Sequence, residues 1–151
     1  MYKFGKITII CVGDLKDAWL KSAQNDFLKR LLPYGKITIC ETPEDRSPQK
    51  EAAKIHKQLS PNSYKIALDI SGTPQSSESF AATLCKLATS GRSHLQFIIG
   101  GSAGLSPEIL KSCHARLSLS PMTFTHRMAR IILLEQIYRC CRILNNEPYH
   151  N

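Results

Sequence analysis

The sequence predicts an α/β protein built on a parallel sheet that helices cover on both faces. Two observations carry this. Short apolar runs alternate with segments of helical apolar spacing along the whole chain, the pattern of strand–helix–strand units. The runs are apolar nearly throughout, as strands buried on both sides must be. With 151 residues the chain fits one domain, 1–151, with no linker, repeat or low-complexity segment and enough length to bury a core.

The elements follow in order. Lys6-Ile7-Thr8-Ile9-Ile10-Cys11-Val12 is a buried strand ended by Gly13-Asp14. Asp17 is placed to cap a helix in which Trp19, Leu20, Ala23, Phe27, Leu28 and Leu31 share a face until Pro33 stops it. Lys36 to Cys40 is a second strand. After the polar loop Thr42–Pro48, a charged helix runs from Gln49 to Leu59 and breaks at Pro61-Asn62. Tyr64 to Ile70 is a third strand and Ser71-Gly72-Thr73-Pro74 a loop. Ser77 opens an amphipathic helix through Phe80, Ala81, Leu84, Leu87 and Ala88, closed by Gly91. Leu95 to Ile99 is the fourth strand, Pro107 to Cys113 a short helix and Ala115 to Leu119 the fifth strand. Arg127 to Asn145 is the last helix. Ligands on such sheets bind at the carboxyl ends of the strands. The loops after Leu68-Asp69-Ile70, Ile99 and Leu119 are therefore expected to meet there.

Charge bounds the partners. Lys and Arg outnumber Asp and Glu by 20 to 12, a formal net charge of +8, which favours a polyanion, nucleic acid first. No stretch is long and apolar enough to span a membrane. The opening Met1–Lys6 leads into a strand without a secretory segment, so a cytoplasmic protein is expected. The six cysteines form no Cys-x-x-Cys pair and have no histidine at zinc-ligand spacing. They are expected to be reduced packing residues, with no metal site.

Three features bear on chemistry. Gly100-Gly101-Ser102-Ala103-Gly104 lets backbone approach a ligand closely, but it has neither dinucleotide nor phosphate-loop spacing. Alone it is compatible with a plain strand-to-helix turn. The last helix carries apolar residues on more than one face (Met128, Ile131 to Leu134, Ile137, Tyr138, Ile143, Leu144), so its second face is expected to be covered by another subunit in a two-fold dimer. Arg127 and Arg130 sit in its first turn, where the helix dipole disfavours positive charge. They call for an anion: a carboxylate such as Glu135, a partner's acid, or RNA phosphate. Glu135 and Arg139, four apart, are spaced to pair. The sequence closes on Pro148-Tyr149-His150-Asn151, and a Pro-stiffened Tyr-His pair after a buried helix is expected to serve chemistry.

Taken together, Phe97-Ile98-Ile99-Gly100-Gly101, the block Leu117 to Ser120 with Met122-Thr123-Phe124 and His126, the helix segment Arg130 to Arg139 and Pro148-Tyr149-His150 resemble the bacterial ribosomal large-subunit (23S) pseudouridine N3-methyltransferase family, minimal members of the SPOUT methyltransferases. The resemblance spans the chain, with its specific motifs from Phe97 onward and Leu68-Asp69 upstream. It implies a C-terminal trefoil knot, a homodimer, S-adenosyl-L-methionine as methyl donor and 23S rRNA in the ribosome as substrate. Carried over by position, the cofactor contacts are Leu68, Gly101, Ser120, Pro121, Met122, Thr123, Phe124 and Thr125. His150, Tyr149 and Arg139 are the catalytic candidates: His150 to take or steer the proton, Tyr149 to stack on it or bond to it. Arg139 and Arg130 are candidates to stabilise developing negative charge or hold phosphate. The chain departs from the family at Thr125 and Arg127 (Pro and Gln are usual), at Cys140 (Ala) and at Asn151 (a basic residue). Competing readings are a SPOUT enzyme for another RNA such as tRNA, and a non-catalytic ribosome-binding module.

Overall fold

A computed structural model describes the whole chain, Met1–Asn151. Its elements are β1 Lys6–Val12, α1 Ala18–Leu31, β2 Lys36–Thr42, α2 Pro48–Gln58, β3 Tyr64–Pro74, α3 Ser77–Thr89, β4 His94–Ile99, α4 Pro107–Lys111, β5 Ala115–Ser118 and α5 His126–Leu144. The five strands form one sheet in the order β2-β1-β4-β3-β5. Every pairing is parallel.

The apolar runs are buried on both sides, and their two residue sets feed two cores. Ile7, Ile9 and Cys11 of β1, with Leu95, Phe97 and Ile99 of β4, pack against Phe80, Ala81 and Leu84 of α3 and Leu133, Leu134, Ile137, Cys140 and Cys141 of α5. Ile10, Val12 and Ile98 face the other way, onto Ala52 and Ile55 of α2 and Ile109 of α4. Gln96 is the polar exception on that second face. It is buried and satisfied: it accepts from the Ser60 N–H (2.8 Å) and the Ser63 hydroxyl (2.6 Å), and donates to the Gln58 carbonyl (3.0 Å).

Serine and threonine start four of the helices. Ser47, Ser76, Ser106 and Thr125 each accept a hydrogen bond from the N–H three residues on. Asp17 holds the cap position of α1, yet its side chain makes no capping bond.

Three expectations change. Ser71–Pro74 is not simply a loop, because β3 continues to Pro74. Leu68 pairs with Leu117, residues 69–72 swing out, and Thr73 and Pro74 return to pair with Leu117 and Ser118. Gly72 permits this, since a Cβ there would lie 2.8 Å from the Arg116 backbone. Second, α5 is indeed apolar on more than one face, but α1 and α3 of the same chain flank it. Its second face gives no ground for a second subunit. Third, Glu135 does not compensate the first-turn arginines. Arg130 is 1 % exposed and pairs with Glu41 Oε2 at 2.6 Å. It also donates to the Gly13 carbonyl (3.1 Å) and Gln24 Oε1 (3.2 Å). Arg127 donates from Nε to the Asp14 carbonyl at 2.7 Å.

Candidate active site

The parallel order puts β4, β3 and β5 side by side, so the chain segments leaving their carboxyl ends meet. Leu68 is half-buried in β3 opposite Leu117 of β5. Ala67 pairs with Ile98 of β4, so Leu68 lies level with the start of the glycine loop. The segment Ser120–Thr125 leaves β5 and enters α5. It crosses to the far side of the sheet end, because His126 Nε2 comes within 3.5 Å of Glu44 Oε1 beyond β2, and Arg127 reaches Asp14 beyond β1. Leu68, Gly101 and Ser120 through Thr125 thus belong to segments that converge on one end of the sheet.

The glycine loop is a tight turn held by Gly104 N–H donating to the Gly101 carbonyl (3.0 Å). Its demand for glycine falls on two residues other than Gly101. A Cβ at Gly100 would lie 2.6 Å from the Gly104 carbonyl carbon, and Gly104 has φ +75°. At Gly101 an added Cβ would meet the Val12 side chain at 3.3 Å, a contact a small shift relieves.

In the second loop Ser120 Oγ accepts from the Met122 N–H (2.9 Å) and Thr125 Oγ1 from Met128 N–H (3.2 Å). The amides of Thr123 and Phe124 and the carbonyls of Pro121 to Phe124 have no hydrogen-bond partner in the chain. Met122 is 76 % exposed and Phe124 38 %. A loop that offers unpaired backbone donors and acceptors beside an aromatic ring suits a ligand read by main-chain groups. Thr125, one departure from the family pattern, is retained as the helix cap. Arg127, another, is engaged with Asp14.

The closing residues fold back along α5. Asn145 accepts from Tyr2 N–H at 2.6 Å at the foot of the sheet, and Arg142 holds the Pro148 carbonyl at 2.9 and 3.0 Å. The Tyr149 hydroxyl donates to Glu135 Oε1 (3.0 Å), and its ring meets Tyr138 edge-on at 4.8 Å. Arg139 donates to the same Glu135 oxygen at 2.7 Å and lies over the Tyr149 ring, 4.8 Å from its centroid. The predicted Glu135–Arg139 pair therefore exists, with Tyr149 joined to it. His150 closes the chain of contacts: its Nδ1 is 3.0 Å from Arg139 Nη1 and its Nε2 is 2.6 Å from Glu78 Oε1. Arginine only donates, so Nδ1 accepts and Nε2 carries the hydrogen given to Glu78. Tyr149 touches Arg139 and Glu135; it does not bond to His150.

These bonds shift several titrations. Burial, then the Glu135 carboxylate, pushes the Tyr149 phenol up, so it stays a donor. The Glu135 hydrogen bond holds the Arg139 guanidinium above its ordinary value. Burial depresses His126, assisted by Arg127, and His126 Nε2 is buried without a hydrogen bond. Burial raises the Cys11 and Cys141 thiols to about 12, which leaves them inert packing groups. All six cysteines are free. Glu78 and Glu41 escaped the sequence reading. Neither lies in a motif, and only the packing of α3 and β2 brings them to His150 and Arg130.

A family model described as "Predicted SPOUT methyltransferase" matches residues 6–150. The chain belongs to the SPOUT methyltransferase family. Two of its relatives share a name. It is 44% identical over 157 residues to the ribosomal RNA large subunit methyltransferase H of Desulforamulus reducens, covering 96% of this chain and 98% of that one. To the Listeria monocytogenes protein of the same name it is 43% identical, covering 95% and 98%. Among solved structures, a probable methylase family protein from Haemophilus influenzae superposes with a TM-score of 0.58 at 16% identity, over 100% of this chain and 72% of that one. A probable methyltransferase from Bordetella pertussis gives 0.55 at 11% identity, over 91% and 96%. At such identities the two structures speak for the SPOUT fold alone. No helix is long and apolar enough to cross a membrane.

Proposed function

We propose that this SPOUT methyltransferase transfers a methyl group from S-adenosyl-L-methionine to N3 of a pseudouridine in 23S rRNA, acting on the assembled ribosome in the cytoplasm. The observation that carries this reading is the convergence of Leu68, the Gly100–Gly104 turn and the Ser120–Thr125 loop, in which the Thr123 and Phe124 amides and the Pro121 to Phe124 carbonyls are left unpaired. The relatives named as ribosomal RNA large subunit methyltransferases supply the substrate class, and the formal charge of +8 suits RNA.

The cofactor brings a methyl group already activated on a sulfonium. The chain has then to bind, orient and handle one proton. Backbone amides of Thr123 and Phe124 and the carbonyls around them would read the cofactor's polar edge, with Leu68 and Phe124 against its apolar parts. Positioning the nucleophilic nitrogen in line is the larger contribution, worth up to about 7–11 kcal/mol in well-oriented systems. Proton removal adds roughly 10²–10⁴-fold. His150 serves in the proton's path, and Arg139, fixed by Glu135, places a positive charge beside it. Both ring nitrogens of His150 are engaged in this conformation, so its use as an acceptor requires release from Glu78 or Arg139. Arg130 has no part in this, since Glu41 neutralises it inside the protein.

The crossing of residues 120–125 over the sheet end supports reading the C-terminal segment as threaded in a trefoil knot. The dimer rests on the exposed apolar side chains at that end, Trp19 (63 %), Met122 (76 %) and Phe124 (38 %), which a second copy would cover. Sedimentation at micromolar concentration should give twice the chain mass; a stable monomer would overturn the dimer.

The deciding experiment incubates assembled ribosomes and tRNA from cells lacking the protein with isotopically labelled S-adenosylmethionine and maps the label by mass spectrometry. A single methylated pseudouridine in 23S rRNA is expected. Label in tRNA would favour the sister reading, and no label would favour a binding module.

A further inference from the structure

Two clefts flank the strand ends, and their charges differ. One, about 350 Å³, lies between the glycine turn at Gly101–Ala103 and the loop after β2. Its charged walls are Glu44, Asp45 and Glu51 against the single cation Arg46. The other, about 680 Å³, runs beside β5, between Ser71–Pro74, where β3 swings out and returns, and the end of α4. Its charged lining is Lys111 and Arg116, with His114 between them and no carboxylate. The nearest acid, Asp69, is 3.9 Å from Arg116 and leaves that guanidinium side chain 48% exposed.

We infer that the β5 cleft is the track on which the RNA backbone is held, with Lys111 and Arg116 on phosphates, while the target base reaches the loops at the strand ends. This rests on the function proposed above. A polyanion enters the cationic cleft and is repelled from the acidic one. Lys111 has no acidic partner and Arg116 only the long contact to Asp69, so both keep donors for phosphate. The track is rigid because Gly72 lies directly against the Arg116 backbone. The ring beside it is fixed as well: His114 Nδ1 accepts from Lys65 N–H at 2.9 Å and stacks on Tyr64 at 4.8 Å. It is also an open edge, since β5 pairs only with β3, and it leads straight through Ser118 to the Ser120–Thr125 loop.

The test is the double variant Lys111→Ala/Arg116→Ala, with Arg46→Ala as the control that removes a cation from the acidic cleft. The probe is assembled ribosomes from cells lacking the protein, read by co-sedimentation and by methylation across a potassium chloride series. The double variant should bind the ribosomes at least tenfold more weakly at physiological salt. Its slope of log affinity on log salt should fall by about 1.5, at roughly 0.7–0.9 per phosphate contact. Saturated turnover and S-adenosylmethionine affinity should stay near wild type, and Arg46→Ala should behave as wild type. Unchanged affinity and slope would overturn the track. So would weakened binding with an unchanged salt slope, which would point to a ribosomal protein as the contact. Wild-type protein that binds the ribosomes without methylating them would count against the proposed function, while the co-sedimentation arm would still decide the cleft.

Discussion

Arg130 shows how a single side chain changes meaning once its surroundings are known. A guanidinium 1 % exposed is tolerable only because Glu41, Gln24 and the Gly13 carbonyl meet it. Glu41→Ala leaves that charge buried without a counterion and should destabilise the fold by roughly 3 kcal/mol, the lower end for a broken buried pair because Glu41 is itself partly exposed. Urea unfolding measures this, and a change under 1 kcal/mol would show that water reaches the guanidinium. The glycine turn makes a second prediction at this scale. Gly100→Ala sets a Cβ against the Gly104 backbone at 2.6 Å, so the turn must open. S-adenosylmethionine affinity should fall at least tenfold by calorimetry, whereas Gly101→Ala, facing only the flexible Val12 side chain, should retain most of it.

At the scale of elements, the segment after α5 behaves as a strap. It is tied by Arg142 to the Pro148 carbonyl, by Glu135 to Tyr149 and by Glu78 to His150, and Glu78 lies in the first turn of α3, just past the end of β3. The strap thus returns the chain from the foot of the sheet towards its ligand-binding end. Deleting Tyr149–Asn151 should remove most of the methylation rate and leave S-adenosylmethionine affinity within about threefold. It should cost about 1–2 kcal/mol of stability for the lost Tyr149 hydrogen bond and ring contacts. Wild-type turnover in the truncated protein would mean that the proton is handled elsewhere. Lost cofactor binding would mean that the strap is structural.

For the whole molecule, pH is the informative variable. Burial, then the Lys6 and Lys65 charges, depresses His94, whose Nε2 lies 3.0 Å from the Thr8 hydroxyl. Burial likewise depresses His126. In both cases the unfolded chain takes up the proton first as pH falls. The stability these groups allow is therefore present above about pH 6.5 and is lost progressively below it. The melting temperature should be level from pH 7 to 8 and drop between pH 6.5 and 5, and His94→Asn should reduce that drop. A curve level down to pH 5 would contradict the assignment.

Sequence by itself determined the order of strands and helices, the parallel class of the sheet and the identity of the loops that converge at one end of it. These are local matters: apolar runs mark strands buried on both faces, apolar residues at helical spacing mark the helices, and Gly100-Gly101 marks a turn after a strand. The pairing of Glu135 with Arg139 was legible for the same reason, since four residues on a helix make neighbours. Only the tertiary structure decided what covers α5, because an apolar face does not say whether α1 and α3 or a second copy will meet it. It also decided that β3 swings out at residues 69–72 and resumes, a consequence of Gly72 packing on a strand more than forty residues away in sequence. Glu41 beside Arg130 and Glu78 beside His150 are likewise long-range meetings of unremarked surface carboxylates. Charge pairing across elements leaves no periodic trace in a sequence, and it is fixed only when the sheet order brings those ends together.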